Sequence, residues 1–219
     1  MTAPAPARSA NDSGHSIAFN LGAIALIVAV AGLGFAYAID AAGRAHPDAS
    51  APVTRTLGGK QLTIPASWLR EDAERSEGFA KQVEIGLILP LGPEAAPREI
   101  DVTLLPRSRV RPSSSLLDGV YLHQFMPEQL TGPPGLIGKP LVATEGYANE
   151  TVWYDAINAS PFVTKCIAPV ADGQSSRCIR TVYLGPGIAA VYSFDEDVLG
   201  NWRQFDATLG ATLRQIGAL

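Results

Sequence analysis

"VEIGLILPLGPEAAPREIDVTLL", residues Val83 to Leu105, holds two runs in which apolar and polar side chains alternate. In the first, Val83, Ile85, Leu87 and Leu89 share one face and Glu84 lies on the other. In the second, Ile100, Val102 and Leu104 point one way, and Glu99, Asp101 and Thr103 point the other. A period of two marks a strand that is buried on one side only. Two such strands in succession predict an antiparallel sheet with one wet face. The "LGPEAAPR" between them reads as a hairpin loop.

The sequence on either side fits that nucleus. Upstream, "GKQLTIPASWL" (Gly59 to Leu69) offers a short strand ending at Pro65, with Trp68 as a core plug. Downstream, "PSSSLLDGVYLHQFM" (Pro112 to Met126) reads as a helix capped by a serine such as Ser115, with Asp118 in its first turn. After the Gly/Pro-rich "TGPPGLIGKP" come further strands in "ETVWYDAIN" and "GIAAVYSF". In the closing segment Val198, Trp202, Phe205, Leu209, Leu213 and Ile216 recur three and four residues apart, one apolar stripe of a helix. Ser193 and Glu196 have capping-box spacing, and Asp195 and Asp197 suit the positive end of that helix. The class is α+β, an antiparallel sheet covered by a C-terminal amphipathic helix. The "TIP-x-SW" strand end (Thr63 to Trp68), the antiparallel strands and the sheet-covering helix together resemble the PsbP-type extrinsic fold. They also resemble uncharacterised proteobacterial proteins with one membrane span and a small periplasmic domain. Neither resemblance implies functional residues.

The N-terminal part has a different composition. "IAFNLGAIALIVAVAGLGFAYAI", Ile17 to Ile39, has no charged side chain. As a helix it is about 34 Å long, slightly more than the roughly 30 Å core of a bilayer. Signal-peptide apolar regions are shorter and follow a basic segment. Here only Arg8 precedes it, partly offset by Asp12. A membrane-spanning anchor over 17–39 is therefore expected. The alternative is a leader cleaved after Ala38, in the Ala36-Tyr37-Ala38 triplet. Ala18, Gly22, Ala25, Ala29, Gly32 and Ala36, spaced three and four apart, would form a small-residue face suited to a helix partner or a second copy. Residues 1–16 are small and polar and predict disorder. Residues 40–52 read as a linker and 53–219 as one domain.

Two cysteines bear on the compartment. In "FVTKCIAPVADGQSSRCIRTVYL" (Phe162 to Leu184), Cys166 and Cys178 lie in two β-prone runs joined by a turn-rich stretch. A hairpin would set them opposite each other, within reach of a disulfide. A disulfide places the domain outside the cytoplasm, in a periplasm or its equivalent. Positive-inside counting, with Arg8 before the apolar segment and Arg44, Arg55 and Lys60 after it, points the other way. The cysteines bear on the question more directly.

Composition and motifs exclude several functions. The formal net charge is -4 over 219 residues, and such a chain lacks the positive field that nucleic-acid binding requires. There is no G-x-S-x-G nucleophile elbow. "GLIGKP" and "LGGK" lack the upstream glycine of a P-loop, since Pro133 and Thr54 stand there. His15 and His46 fall in the flanks, which leaves His123 as the domain's one histidine and a weak general-base candidate for an envelope hydrolase. Asp155, alternating on a strand, is expected to face solvent. No metal or cofactor site is indicated. In "PRSRVRPSSS", Arg107, Arg109 and Arg111 would project on one side of an extended chain before a helix start. They could hold an anion such as a phosphate or a lipid headgroup; otherwise they protect an edge strand.

These features predict a non-enzymatic, membrane-anchored accessory, binding or assembly module of an envelope complex, with its C-terminal domain periplasmic. The alternative is a soluble periplasmic protein, released after Ala38, that binds a small anion.

Overall fold

The computed structural model describes residues 17–43, 51–70, 77–144, 148–169 and 173–219. The disorder expected over 1–16, His15, His46 and residues 44–50 of the linker lie outside them.

Helix α1 (Ile17–Gly43) belongs to a unit separate from Ala49–Leu219. It overturns the expected membrane-spanning anchor: among the described residues no helix is long and apolar enough to cross a membrane. Within α1 the described side chains run only from Leu21 to Tyr37 and include three glycines. Of the expected small-residue face, the side chain of Ala18 lies outside the described set. Ala25, Ala29 and Ala36 are exposed. A Cβ placed on Gly22 or Gly32 would meet nothing within 4 Å.

The unit Ala49–Leu219 is built on two sheets. Strands β1 (Pro52–Leu57), β2 (Lys60–Pro65) and β3 (Gly78–Phe79) form the smaller, in the order β2-β1-β3. The larger contains β4 (Val83–Leu91), β5 (Ala96–Pro106), β6 (Ile137–Pro140), β7 (Glu150–Tyr154), β8 (Val163–Ile167), β9 (Arg177–Tyr183) and β10 (Ile188–Asp195). Its order is β4-β5-β10-β9-β8-β7-β6, antiparallel throughout. The α+β architecture read from the sequence is present. The β4–β5 strands extend further than expected: Pro90 faces Pro97 across the ladder and only Gly92 to Ala95 make the turn. After β5 the chain crosses to the far edge and returns as a meander, so β10 closes onto β5.

That crossing shapes the second face. It contains a 3-10 turn at Arg107–Arg109, helix α2 (Ser113–Gly119) and a 3-10 turn at Tyr121–His123. The expected helix over 112–126 is thus one short helix. It opens after Pro112 with no side-chain cap, so Ser115 and Asp118 lie inside it and not at its start. Leu117 with Leu141, Val152 and Val163 makes a small apolar cluster under α2.

The main core lies on the opposite face. Val83, Ile85, Leu87 and Leu89 of β4 and Ile100, Val102 and Leu104 of β5 are buried, as the alternation predicted. Helix α3 (Trp202–Gln215) brings the apolar stripe onto them: Phe205, Leu209 and Leu213 have no exposed surface. The Phe205 ring lies 4.8 Å from Phe194 and 5.8 Å from Tyr192. Leu57, Leu62 and Ile64 of the small sheet join the same core, and the Thr63 N–H donates to the Ile216 carbonyl at 3.1 Å. The small sheet also abuts the large one through two turns. A Cβ on Gly58 (φ 56°) would lie 2.7 Å from the Gly187 carbonyl oxygen, so only glycine fits this approach. Trp68 is half-buried against the core.

The capping box expected before α3 does not form. A 3-10 segment (Glu196–Asn201) precedes the helix and carries no side-chain cap. Ser193 lies within β10 and accepts from Arg177, and Glu196 accepts from Trp153 Nε1 at 3.0 Å. Both groups are drawn to tertiary partners, which local spacing cannot reveal.

Candidate functional site: the open face of the sheet

The cysteine hairpin is the first element of the site to be confirmed. Cys166 and Cys178 stand directly opposite in the β8–β9 ladder and are bonded, 12 residues apart, with their side chains toward the main core. Beyond the disulfide the ladder parts. Arg180 donates through Nη1 to the Val163 carbonyl at 2.9 Å, and Thr164 Oγ1 donates to the Ile179 carbonyl at 2.9 Å. Ser113 Oγ accepts the Thr181 N–H at 2.9 Å. Side chains thus stand in for the missing strand-to-strand bonds. The buried Arg180 guanidinium also lies 4.3 Å over the Phe162 ring. It forks onto Asp206 of α3, at 3.2 Å from Nε and 2.5 Å from Nη2. Beside it, Tyr192 holds its phenol proton well above the ordinary pKa. Burial is the main cause; the Asp206 charge adds to it and the Arg180 charge opposes it.

The polar side chains that alternate outward from the core form a connected array on the opposite face. Arg70 lies flat across β4 over Gly86, where an added Cβ would meet its guanidinium at 2.5 to 2.8 Å. A strand glycine here is the condition for close passage of that side chain. Arg70 Nη2 donates to Glu99 Oε1 at 2.7 Å and also to Asp101 Oδ1. These bonds, that to Glu99 foremost, raise the Arg70 pKa above its ordinary value against the opposing effect of burial. Asp101 Oδ2 accepts from Arg177 Nη2 at 2.8 Å. Arg177 also donates to Asp195 Oδ1 at 3.0 Å and to Ser193 Oγ at 3.1 Å. Side chains thus join β5, β9 and β10 to one another and to Arg70, which lies across β4. Ile88, 73% exposed, lies on one side of this array, and Ile167 and Ile179, 37% and 38% exposed, lie on the other. A recess of about 340 Å³ beside Ile88 is lined by Ser67, Trp68, Arg70, Gly86 and Glu99.

The residues singled out in the sequence do not converge. Arg107 and Arg109 lie in a 3-10 turn and Arg111 follows it, so the one-sided extended row is absent. Arg107 instead lies 4.0 Å over the Tyr183 ring, and Arg109 Nη1 donates to the Lys81 carbonyl at 3.5 Å. His123 is exposed at the end of a 3-10 turn. Asp155 is buried, contrary to expectation, because its carboxylate accepts from the Ile157 N–H at 3.0 Å and from Asn158 to close a turn. Among the described residues no group of three or more His, Cys, Asp or Glu could hold a metal ion. Arg70, Arg177 and Arg180 were not anticipated. The outward acids Glu99 and Asp101 were visible in the alternation, but their partners come from distant elements.

Compared with known families, curated proteins and solved structures, the chain matches none. The resemblance to the PsbP-type fold stays a matter of pattern, and function is argued from the site.

Both Asp101 oxygens, Glu99 Oε1 and Asp195 Oδ1 accept from guanidinium N–H groups, which hold the side chains against one another. A flat, pre-ordered polar field with exposed isoleucines beside it loses little conformational entropy when another surface covers it.

Proposed function

We propose that the domain is a non-enzymatic accessory module of an extracytoplasmic envelope complex, binding a protein partner through the open face of β4, β5, β10 and β9. The supporting observation is the Arg70–Asp101–Arg177–Asp195 array flanked by Ile88, Ile167 and Ile179. Apolar anchors beside satisfied polar groups are the composition of a protein interface. The buried disulfide supports an oxidising compartment.

The test is quantitative co-purification of the full chain with a partner from the envelope fraction, comparing the parent with an Ile88→Lys, Ile179→Lys variant. These side chains are exposed, so the melting temperature stays within about 0.5 kcal/mol of equivalent stability. The stoichiometric partner is lost from the variant. A partner retained at full stoichiometry overturns the assignment of this face.

A further inference from the structure

The cations of the domain fall into two classes. Arg70, Arg98, Lys165, Arg177 and Arg180 are each in a salt bridge with a carboxylate. Among the described residues outside such bridges, Lys139 donates to the Pro127 carbonyl, Arg203 lies over the Trp202 ring and Arg214 lies in the last turn of α3, whereas Lys60, Lys81, Arg107, Arg109 and Arg111 lie at one end of the fold. Lys60 follows the β1–β2 turn, and its Nζ would be 3.7 Å from a Cβ on Gly185 of the β9–β10 turn. The Arg107 N–H donates to the Gly187 carbonyl of that turn at 3.0 Å. Arg109 reaches the Lys81 carbonyl between β3 and β4. Next to Lys81 in the chain is β3, held to β1 by the Ala80 N–H donating to the Thr56 carbonyl at 2.9 Å. On β3, Phe79 is 91% exposed. Glu77 is the acidic residue described beside this group.

We propose that this end of the domain is a contact surface for an anionic lipid bilayer, with Phe79 entering the headgroup region and Lys60, Lys81, Arg107, Arg109 and Arg111 facing the lipid phosphates. Cations with no carboxylate partner gain from the negative surface potential of such a bilayer. An aromatic ring presented to water gains from the interfacial zone just beneath. The aromatic decides between lipid and an acidic protein: a large ring 91% exposed on the strand next to Lys81 fits a penetrable surface. This surface is separate from the open sheet face, so failure here leaves the protein-binding reading intact.

The test places a reporter at the contact itself, so that lipid binding by any other part of the full chain does not count. Phe79→Trp is mixed with vesicles of phosphatidylcholine and phosphatidylglycerol at 3:1, with brominated acyl chains as quenchers. The expected result is quenching and a blue shift beyond those of the parent protein, absent with phosphatidylcholine alone and reversed by 0.5 M salt. Adding Lys81→Gln and Arg109→Gln, both exposed and outside the core, weakens the apparent affinity at least tenfold. Circular dichroism confirms that each variant is folded. No added quenching, or equal quenching by neutral vesicles, overturns the proposal. So does binding of poly-glutamate with no response to vesicles, which would assign the end to an acidic protein.

Discussion

The two faces of the seven-stranded sheet use the same residue pairing for different ends. On the core face, Arg180 and Asp206 join β9 to α3, with the arginine side chain 8% exposed. On the open face, Arg177 and Asp101 join β9 to β5 with both side chains more than 40% exposed. Desolvation separates them. A buried guanidinium that loses its carboxylate has no water to replace it, whereas an exposed one is solvated at once. Loss of one partner is therefore costly on the core face and cheap on the open face.

The largest effect that would break this contrast belongs to the apolar side. Phe205→Ala removes a fully buried ring that touches Phe162, Tyr192 and Phe194. It should cost about 3–5 kcal/mol in urea denaturation. A loss below about 1 kcal/mol would mean that α3 is not seated on the sheet as described.

The disulfide comes next. Replacing Cys166 and Cys178 together with alanine opens a loop of about 13 residues, and on the chain-entropy argument that costs about 3 kcal/mol. Unreduced, denatured parent protein should show no titratable thiol. Two thiols would remove the support for an oxidising compartment.

The core face was also the face the sequence revealed. Alternation in β4 and β5 and the stripe on α3 report burial directly, because each side chain's fate follows from its own polarity. The pattern fails where a charged residue takes a core position. Val53, Arg55 and Leu57 all point inward from β1, so the arginine hides the strand's period and β1 went unread. Arg180 likewise takes a core position in β9, but there the β-prone residues around Cys178 still mark the strand. The open-face array was legible only by half, since Glu99 and Asp101 could be placed outward but Arg70 and Arg177 reach them across 29 to 76 residues of chain. No local spacing encodes such partners. Trp153, packed against the backbone of Gly138, is a further contact that only register reveals.

Asp206→Asn tests the buried pair directly. It strands the Arg180 guanidinium and should cost about 1–3 kcal/mol. Arg180→Met, which also removes the stranded charge, recovers part of that loss in the Asp206→Asn background. If the double variant is no more stable than Asp206→Asn alone, the burial of the pair is overstated.

Tyr192 gives the same face a pH signature. Its pKa is raised in the folded state, so the proton is held more tightly there than in the unfolded chain. The stabilising difference is complete below the unfolded value of about 10 and is lost as pH rises above it. Stability should fall by up to about 1.4 kcal/mol per pH unit from this one group above pH 10. Tyr192→Phe should flatten that fall. An unchanged alkaline slope would show that Tyr192 ionises freely.

The smallest effect is the most informative about the open face. Asp101→Asn removes a carboxylate that serves both Arg70 and Arg177, yet exposed pairs of this kind contribute about 0–1 kcal/mol. Both arginines keep other acceptors, Glu99 for the first and Asp195 for the second, so neither is stranded. Double-mutant coupling between Asp101→Asn and Arg177→Gln should therefore be about 0.5 kcal/mol. It should shrink in 1 M salt, where the screening length falls to about 3 Å. A coupling above about 2 kcal/mol that ignores salt would mean that water does not reach the array. The face would then be a second closed core, with no surface left for a partner to cover.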